Sequence, residues 1–264
     1  MDSSKKQLQE MVVTSNYMIT SDCFVVECFN PTQQIPKIVP GQFAQLKIDD
    51  NPAVFLRRPF SIHDYDEKKN TISFMIKIVG NGSKSLSALN VDTAINVMFP
   101  LGNGFTVEAA AGKKSLLVGG GVGIAPIYLL AKTLRQQNCD FDVILGGKSA
   151  EDLLRYDDFV AFSKVYCTTE DGSKGCKGFV TNHRQEIPNF RLEQNYQCKT
   201  ANTDELPENS RQHFHVQCTN DKPNHVKGND SQKHIHTCRT TYQLVNLIHK
   251  QCDKGNVNKI NELK

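Results

Sequence analysis

The spacing of apolar residues changes twice along this chain, near residues 113 and 183, and each change restricts the folds open to it. Before residue 110, short runs of β-branched and aromatic residues alternate with turn sequences such as 64–70 and Gly80-Asn81-Gly82. Short strands at this spacing are typical of a closed β-barrel or a sandwich. The predicted strands cover residues 11–14, 23–29, 42–48, 59–63, 71–78 and 94–99, and a short helix covers 83–89.

From residue 113 the pattern alternates between apolar strands and amphipathic helices. Strands are predicted at 115–118, 141–145 and 164–169, with helices at 125–135 and 150–162 between them. This β-α-β-α-β order indicates a parallel sheet covered on both faces. We therefore predict a β-barrel followed by an α/β parallel-sheet layer that binds a nucleotide.

The last 81 residues, 184–264, are much more polar than the rest. They contain 22 hydrophobic residues, too few to offset the chain entropy of a folded domain of that length. Only 241–250 looks able to pack as a helix. We expect three domains, at 1–110, 111–200 and 201–264, with the last irregular or poorly ordered.

Charge and apolar runs exclude several classes of protein. The 264 residues include 31 Lys or Arg and 28 Asp or Glu, a balance that argues against nucleic-acid binding. The longest uncharged apolar stretch, 115–131, is shorter than the roughly 20 residues of a membrane helix and contains four glycines. With no signal-peptide pattern at residues 1–10, we expect a cytoplasmic protein without a membrane partner.

The glycine-rich segment after the first strand of the second region is a candidate phosphate-binding turn. Glycines between a strand and a helix allow close approach of a pyrophosphate, and a proline suits the first helical turn. A tight turn without a ligand would have the same pattern. The candidate residues are Gly119, Gly120, Gly121, Gly123 and Pro126.

Two later turns contain further polar candidates. Lys148 and Ser149 stand where an acidic ribose-binding residue is usual, so the choice between NAD and NADP stays open. In the turn 168–173, Thr169 and Asp171 offer a hydroxyl and a carboxylate to a dinucleotide. An ordinary polar turn explains the same residues equally well.

The segment Arg57-Arg58-Pro59-Phe60-Ser61 is the candidate anion-binding strand. A guanidinium can bind phosphate oxygens with two parallel hydrogen bonds, and a hydroxyl on the strand can reach a flavin edge. Two surface arginines without a ligand are the simpler alternative. His63 follows this strand, and its position favours a solvated strand-end side chain over one that lies near the cofactor.

Four motifs in order resemble the ferredoxin-reductase superfamily and, within it, the electron-transfer subunits of dihydroorotate dehydrogenase B. They are the arginine segment, 75–83, Pro100-Leu101-Gly102-Asn103-Gly104-Phe105 and the glycine-rich turn, and the match extends over about residues 1–183. The resemblance implies FAD on the barrel, NAD(H) on the α/β layer and hydride transfer between them, with no catalytic side chain. The implied FAD residues are Arg58, Pro59, Phe60, Ser61, Met75, Ile76, Lys77, Gly82 and Ser83.

The resemblance also implies a partner and an iron–sulfur cluster. The partner would be an FMN-containing subunit that oxidises dihydroorotate in pyrimidine biosynthesis, in a heterotetramer. The family binds its 2Fe–2S cluster through a Cys-x4-Cys-x2-Cys…Cys run, which this sequence lacks. Cys218, Cys238 and Cys252 are widely spaced, so no metal ligand is assigned.

Three explanations of residues 184–264 therefore remain. The segment is a diverged or corrupted cluster domain, a zinc module built on 213–218 and 234–238, or a polar coil. Two other functions stay open with them: a stand-alone NAD(P)H–flavin reductase, and a non-enzymatic nucleotide-binding remnant.

Overall fold

A curled antiparallel sheet forms the first half of the molecule. The computed structural model describes residues 6–48, 54–112, 114–180, 194–200 and 214–219. The order of the seven strands in the curled sheet is β4-β3-β7-β1-β2-β6-β5. The strands are β1 (Gln7–Met18), β2 (Cys23–Phe29), β3 (Phe43–Leu46), β4 (Arg58–Ser61), β5 (Asp64–Asp66), β6 (Thr71–Lys77) and β7 (Ala94–Leu101).

Two backbone hydrogen bonds show how this sheet curls. The Ile62 N–H donates to the Gln42 carbonyl at 3.0 Å, and the His63 N–H donates to the Ser73 carbonyl at 2.8 Å. The segment after β4 is thus hydrogen-bonded to Gln42, just before β3, on one side and to β6 on the other. In addition, β4 contacts β6. The predicted β-barrel is confirmed.

Alternating side chains fill the inside of the barrel. In β1, Gln9, Met11 and Val13 are buried at every second position, as a strand with one inward face requires. Met11 and Val13 belong to one buried apolar cluster with Phe24 and Phe74, both 0% exposed. Each large apolar side chain buried in this way contributes about 1.5–3 kcal/mol before chain entropy is subtracted.

The second sheet contains six strands in the order β11-β10-β9-β8-β12-β13. Pairing is parallel among the first five and antiparallel between β12 and β13. This sheet and its helices form the α/β layer and confirm the second part of the predicted fold. The strands are β8 (Ser115–Gly120), β9 (Phe141–Gly147), β10 (Lys164–Thr169), β11 (Cys176–Lys177), β12 (Gln194–Thr200) and β13 (Phe214–Thr219).

Within the described ranges, three α-helices are bounded: α1 (Asn81–Ser87) after β6, α2 (Ala125–Gln136) after β8, and α3 (Tyr156–Phe162) after β9. Short 3-10 turns cover Val107–Ala110, Gly121–Ile124 and Ala150–Asp152. Among the residues that the structure describes, no helix is long and apolar enough to cross a membrane.

The structure corrects two local predictions. The helix predicted over 150–162 is divided, because Arg155 has a φ of 59° in the left-handed region, where an α-helix cannot continue. The segment 64–70 is predicted as a turn, yet β5 forms there and pairs with β6. β12 and β13 are additional strands that the sequence does not predict, and the predicted helix 241–250 lies outside the described residues.

The barrel and the α/β layer share one buried cluster. Met75 and Val25 of the barrel pack in it with Val122, Ile124 and Leu130 of the layer. The turn that follows β8 therefore rests on β6, which itself contacts β4. This packing places the two predicted binding segments on neighbouring elements.

Candidate functional site

Arg58 lies on β4 at the edge of the curled sheet, beside the start of α1. Its Nη1 donates a hydrogen bond to the Leu56 carbonyl at 2.8 Å. A Cβ atom at Gly82 would lie 3.3 Å from the Arg58 Nε, a tight contact, so the glycine gives the arginine side chain room. The structure thus brings together two of the predicted FAD residues, which are 24 positions apart.

The neighbouring arginine has a different role. The Nη1 of Arg57 donates to the backbone carbonyl of Asn96 at 3.0 Å, and its Nη2 donates to the Asn96 side chain. Asn96 belongs to β7, so Arg57 ties the start of β4 to the sheet. Residue type alone does not distinguish these two adjacent arginines, whereas the family resemblance implies FAD binding for Arg58 only.

The other β4 candidates are half-buried residues paired with β3. Pro59 pairs with Gln45, Phe60 packs against the barrel core, and Ser61 pairs with Phe43. All three belong to the short strand that Arg58 begins.

The candidates on β6 divide between core and surface. Met75 and Ile76 are at most 2% exposed, so their side chains pack in the core and only their backbone remains for a ligand. Lys77 is half-buried, and its Nζ lies 3.0 Å from the Asp22 Oδ2. No pattern in the sequence points to Asp22, which stands in the turn opposite the end of β6.

Asp22 also connects the barrel to the layer electrostatically. Its partial burial alone would raise the pKa of the carboxyl, but the hydrogen bond and charge of Lys77, together with a hydrogen bond to Thr20, act against burial, and the pKa lies below its usual value. Lys148, which follows β9, lowers the pKa further. Two cations from different halves of the molecule thus act on one carboxylate.

Ser83 shapes the loop before α1. Its hydroxyl accepts hydrogen bonds from the N–H groups of Val79 and Gly80, at 2.9 and 3.2 Å, and donates to the Gly80 carbonyl at 3.0 Å. The hydroxyl therefore holds the backbone next to Gly82. A direct role of Ser83 toward FAD stays a prediction.

The glycine-rich turn contains glycines of two kinds. A Cβ atom at Gly119 would lie 2.5 Å from the Ile124 Cδ1, so this glycine is needed for packing. At Gly120 and Gly121 a Cβ would meet nothing within 4 Å, and Gly121 has a φ of 51°. These two positions leave the backbone open to a ligand, while Gly123 and Pro126 are buried below them.

The turn after β10 uses its polar groups internally. Thr169 is 0% exposed; its hydroxyl donates to the Lys174 carbonyl at 2.9 Å and accepts from the Lys174 N–H at 3.1 Å. The Asp171 carboxylate accepts two hydrogen bonds from Ser173, which lower its pKa. Both residues shape the turn, and their binding to NAD stays a prediction.

His63 joins the barrel to the first turn of α2. The side chain is 1% exposed, and its Nδ1 lies 3.0 Å from the Ala125 carbonyl oxygen. The interpretation as a solvated strand-end histidine is therefore wrong, because α2 covers the ring. The signal in the sequence is its spacing, two residues beyond Ser61 and just before the next strand.

These groups fit the cofactors that the resemblance implies. The Arg58 guanidinium beside Gly82 suits a pyrophosphate, and the uncovered backbone of Gly120 and Gly121 suits a second one. An iron–sulfur cluster has no such support: within the described residues, no three His, Cys, Asp or Glu side chains are grouped to hold a metal. Cys238 and His234, which belong to the alternative zinc module, lie outside the residues that the structure describes.

Comparisons with known proteins agree with this geometry. The dihydroorotate dehydrogenase B (NAD(+)) electron transfer subunit of Fusobacterium nucleatum is 33% identical over 204 residues, which span 73% of this chain and 75% of that protein. The subunit of the same name from Lysinibacillus sphaericus is 34% identical over 175 residues, 66% of this chain and 67% of that protein. No protein-family model matches the chain.

Solved structures show the same fold. The structure of an NADH-dependent reduced ferredoxin-NADP oxidoreductase is similar with a TM-score of 0.60 and 28% identity, covering 69% of this chain and 64% of that one. A ferredoxin NADP+ reductase from Neisseria gonorrhoeae, solved with FAD and NADP, is similar with a TM-score of 0.56 and 19% identity. The two chains are covered to 68% and 78%.

Proposed function

This chain belongs to the family of dihydroorotate dehydrogenase B electron transfer subunits, and we propose that it moves electrons between NAD(H) and a subunit that oxidises dihydroorotate. The observation that carries the proposal is that the two candidate sites lie on elements that both contact strand β6. Arg58 of β4 lies beside Gly82 of α1, and β4 contacts β6. The glycine-rich turn also contacts β6 and packs in one buried cluster with Met75 of that strand.

Each half of the molecule has a separate task in this proposal. The barrel would hold FAD by Arg58 at the pyrophosphate, by Ser61 and Lys77 at the ring system, and by the backbone of Met75 and Ile76. When bound, FAD supplies the two-electron chemistry that accepts a hydride from NADH and then releases electrons singly. The protein itself orients the two rings and excludes water, and no side chain needs to act as an acid or nucleophile.

The α/β layer would hold the dinucleotide. The backbone at Gly120 and Gly121 is open and lies at the end of β8, the position where α/β sheets bind phosphates. Thr169 and Asp171 lie at the end of β10 at the same sheet edge, and the Asp171 N–H donates to the Lys148 carbonyl at 3.1 Å. The loops after β9 and β10 are thus held together where the ribose would bind.

The partner completes the reaction. We propose that it carries FMN, belongs to pyrimidine biosynthesis and assembles with this chain in a heterotetramer in the cytoplasm. Because the cluster-binding run is missing from the sequence, the proposed reaction contains no electron-transfer step through a cluster. The same observation favours a second candidate function, a stand-alone flavin reductase that passes electrons to a soluble acceptor.

The test uses the full chain, purified with and without a dihydroorotate-oxidising subunit. We expect a yellow protein whose flavin absorbance is bleached by NADH without oxygen, and orotate formation from NAD+ and dihydroorotate only when both subunits are present. Bleaching without any transfer to the partner would favour the stand-alone reductase. A protein that binds no flavin would overturn both functions.

A further inference from the structure

One hydrogen bond links the predicted flavin strand to the predicted dinucleotide turn. His63 stands two residues after Ser61, and Ala125 stands two residues after Gly123 and next to Pro126. The Nδ1 of His63 lies 3.0 Å from the Ala125 carbonyl oxygen, and the ring is 1% exposed. The contact therefore lies within two residues of each candidate site.

The chemistry of the ring makes this contact directional. A backbone carbonyl can only accept, so the Nδ1 must carry the hydrogen and the Nε2 must be the unprotonated nitrogen. Burial, together with the charges of Arg155 and Lys132, lowers the pKa of His63 to about 3, against the raising effect of the Ala125 carbonyl. Near neutral pH the ring is thus uncharged, with its single hydrogen on the Nδ1.

Neighbouring rings fix the orientation of the imidazole. The ring centre of Tyr128, on α2, lies 4.6 Å from that of His63 at an interplanar angle of 31°. The Arg155 guanidinium lies 4.8 Å from the Tyr128 ring centre, and Phe159 meets that ring edge-on. A rotation of the imidazole away from Ala125 would disrupt this stack.

A second contact between the same elements is much looser. Lys132 of α2 forms an ion pair with Asp64 at 2.7 Å, and both side chains are more than a quarter exposed. A long flexible lysine tolerates small shifts between the two halves, and an exposed pair contributes little energy. A short, buried and stacked ring tolerates far less.

We infer that His63 is a positioning residue, whose bond to Ala125 sets the distance and angle between the flavin and the nicotinamide. The inference rests on the proposed function. Hydride transfer depends steeply on the separation of the two rings, and a misplacement of about 1 Å costs on the order of 100-fold in rate. The imidazole does not touch the reacting atoms in this role; it acts through the turn that it holds.

The test compares two amides of different reach, H63N and H63Q, in the full-length protein. The Asn amide nitrogen can replace the His Nδ1, whereas the Gln amide extends to the position of the Nε2. We expect flavin reduction by NADH in a single turnover to slow about 10-fold or more in H63Q and to stay within about 3-fold of wild type in H63N. The flavin content of both variants should remain near one per chain.

A second readout does not depend on the flavin. Amide hydrogen exchange at residues 121–129 should accelerate about 5-fold in H63Q and remain near wild type in H63N, as expected for the loss of one hydrogen bond. H63F keeps a ring against Tyr128 but donates no bond, and should behave as H63Q does. K132M, which breaks the looser contact, is the control and should change neither measurement.

The outcomes separate the two proposals. If the wild type is reduced by NADH while H63Q and H63F match it in rate and exchange, the positioning role is overturned alone. Equal losses in H63N and H63Q would overturn the role of the hydrogen bond. A wild-type protein that binds no FAD, or whose FAD is not reduced by NADH, overturns the proposed function and this inference with it.

Discussion

The barrel and the α/β layer prepare their parts of the site with different chemical groups. On the barrel, charged side chains such as Arg58 and Lys77 come from separate strands, and Gly82 makes room for one of them. On the layer, the exposed group is the backbone of Gly120 and Gly121, while the hydroxyl of Thr169 is used inside its own turn. Substitutions in the barrel should therefore act by removing a charge that faces the ligand. Substitutions in the layer should act by changing the packing or the accessibility of the backbone.

The largest expected effect lies where the two regions meet, at His63. Its pKa falls from 6.5 in the unfolded chain to about 3 in the fold. Below pH 6.5 the unfolded chain binds a proton that the folded chain does not, so stability falls by about 1.4 kcal/mol per pH unit until about pH 3. By pH 4 this histidine should cost the wild type about 3 kcal/mol.

Urea unfolding at pH 7.5 and pH 4 measures this cost, with H63N as the variant that cannot titrate. We expect the wild type to lose about 3 kcal/mol more than H63N between the two values. Lys132, Arg155 and Asp64 are unchanged in H63N, so their contributions cancel. Equal losses in the two proteins would show that the histidine is solvated. The barrel and the layer would then not be packed together at this residue.

The next effect distinguishes the two kinds of glycine in the layer. In G119A the new methyl group meets the Ile124 side chain at 2.5 Å and its Cα at 3.1 Å, so we expect a loss of about 2 kcal/mol of stability. G120A is the matched variant: its φ of −115° suits alanine and its Cβ meets open space, so stability should stay within about 0.5 kcal/mol.

The two variants should reverse their order when NADH binding is measured. G120A places a methyl group where the backbone is open, and we expect its KM for NADH to rise about 10-fold with no loss of folding. Thermal unfolding and steady-state kinetics on both variants test the pair. An unchanged KM in G120A would remove the open backbone of the layer from the dinucleotide site.

The two adjacent arginines provide the corresponding test in the barrel. R58M removes the guanidinium beside Gly82, and we expect FAD to bind about 10- to 30-fold more weakly, in line with one lost charge-assisted contact. R57M instead breaks the bonds to Asn96 and should lower stability by about 1–2 kcal/mol. Flavin titration of the apoprotein and urea unfolding measure both. Equal flavin loss in the two variants would mean that the arginine pair acts as one unit.

The sequence predicts the order of the elements better than it predicts the use of their polar groups. Short runs of β-branched and aromatic residues locate β2 and β10 at their observed bounds, because such runs are local signals. The break in the 150–162 helix depends on one left-handed residue, Arg155, which the pattern does not reveal. The bond of Arg57 to Asn96 and the burial of His63 under α2 depend on contacts with distant segments, so they could not be predicted from the sequence.

The smallest effect tests two neighbouring threonines at the end of β10. Thr168 and Thr169 are both 0% exposed, but only the Thr169 hydroxyl has hydrogen-bond partners among the described residues. T169V should therefore cost about 1 kcal/mol, since it leaves the Lys174 backbone groups without partners, while T168V should be neutral or slightly stabilising. Urea unfolding without cofactors measures both. If NAD+ instead contacts the Thr168 hydroxyl, T168V will weaken NAD+ binding with unchanged stability, and the layer will then supply a side chain as the barrel does.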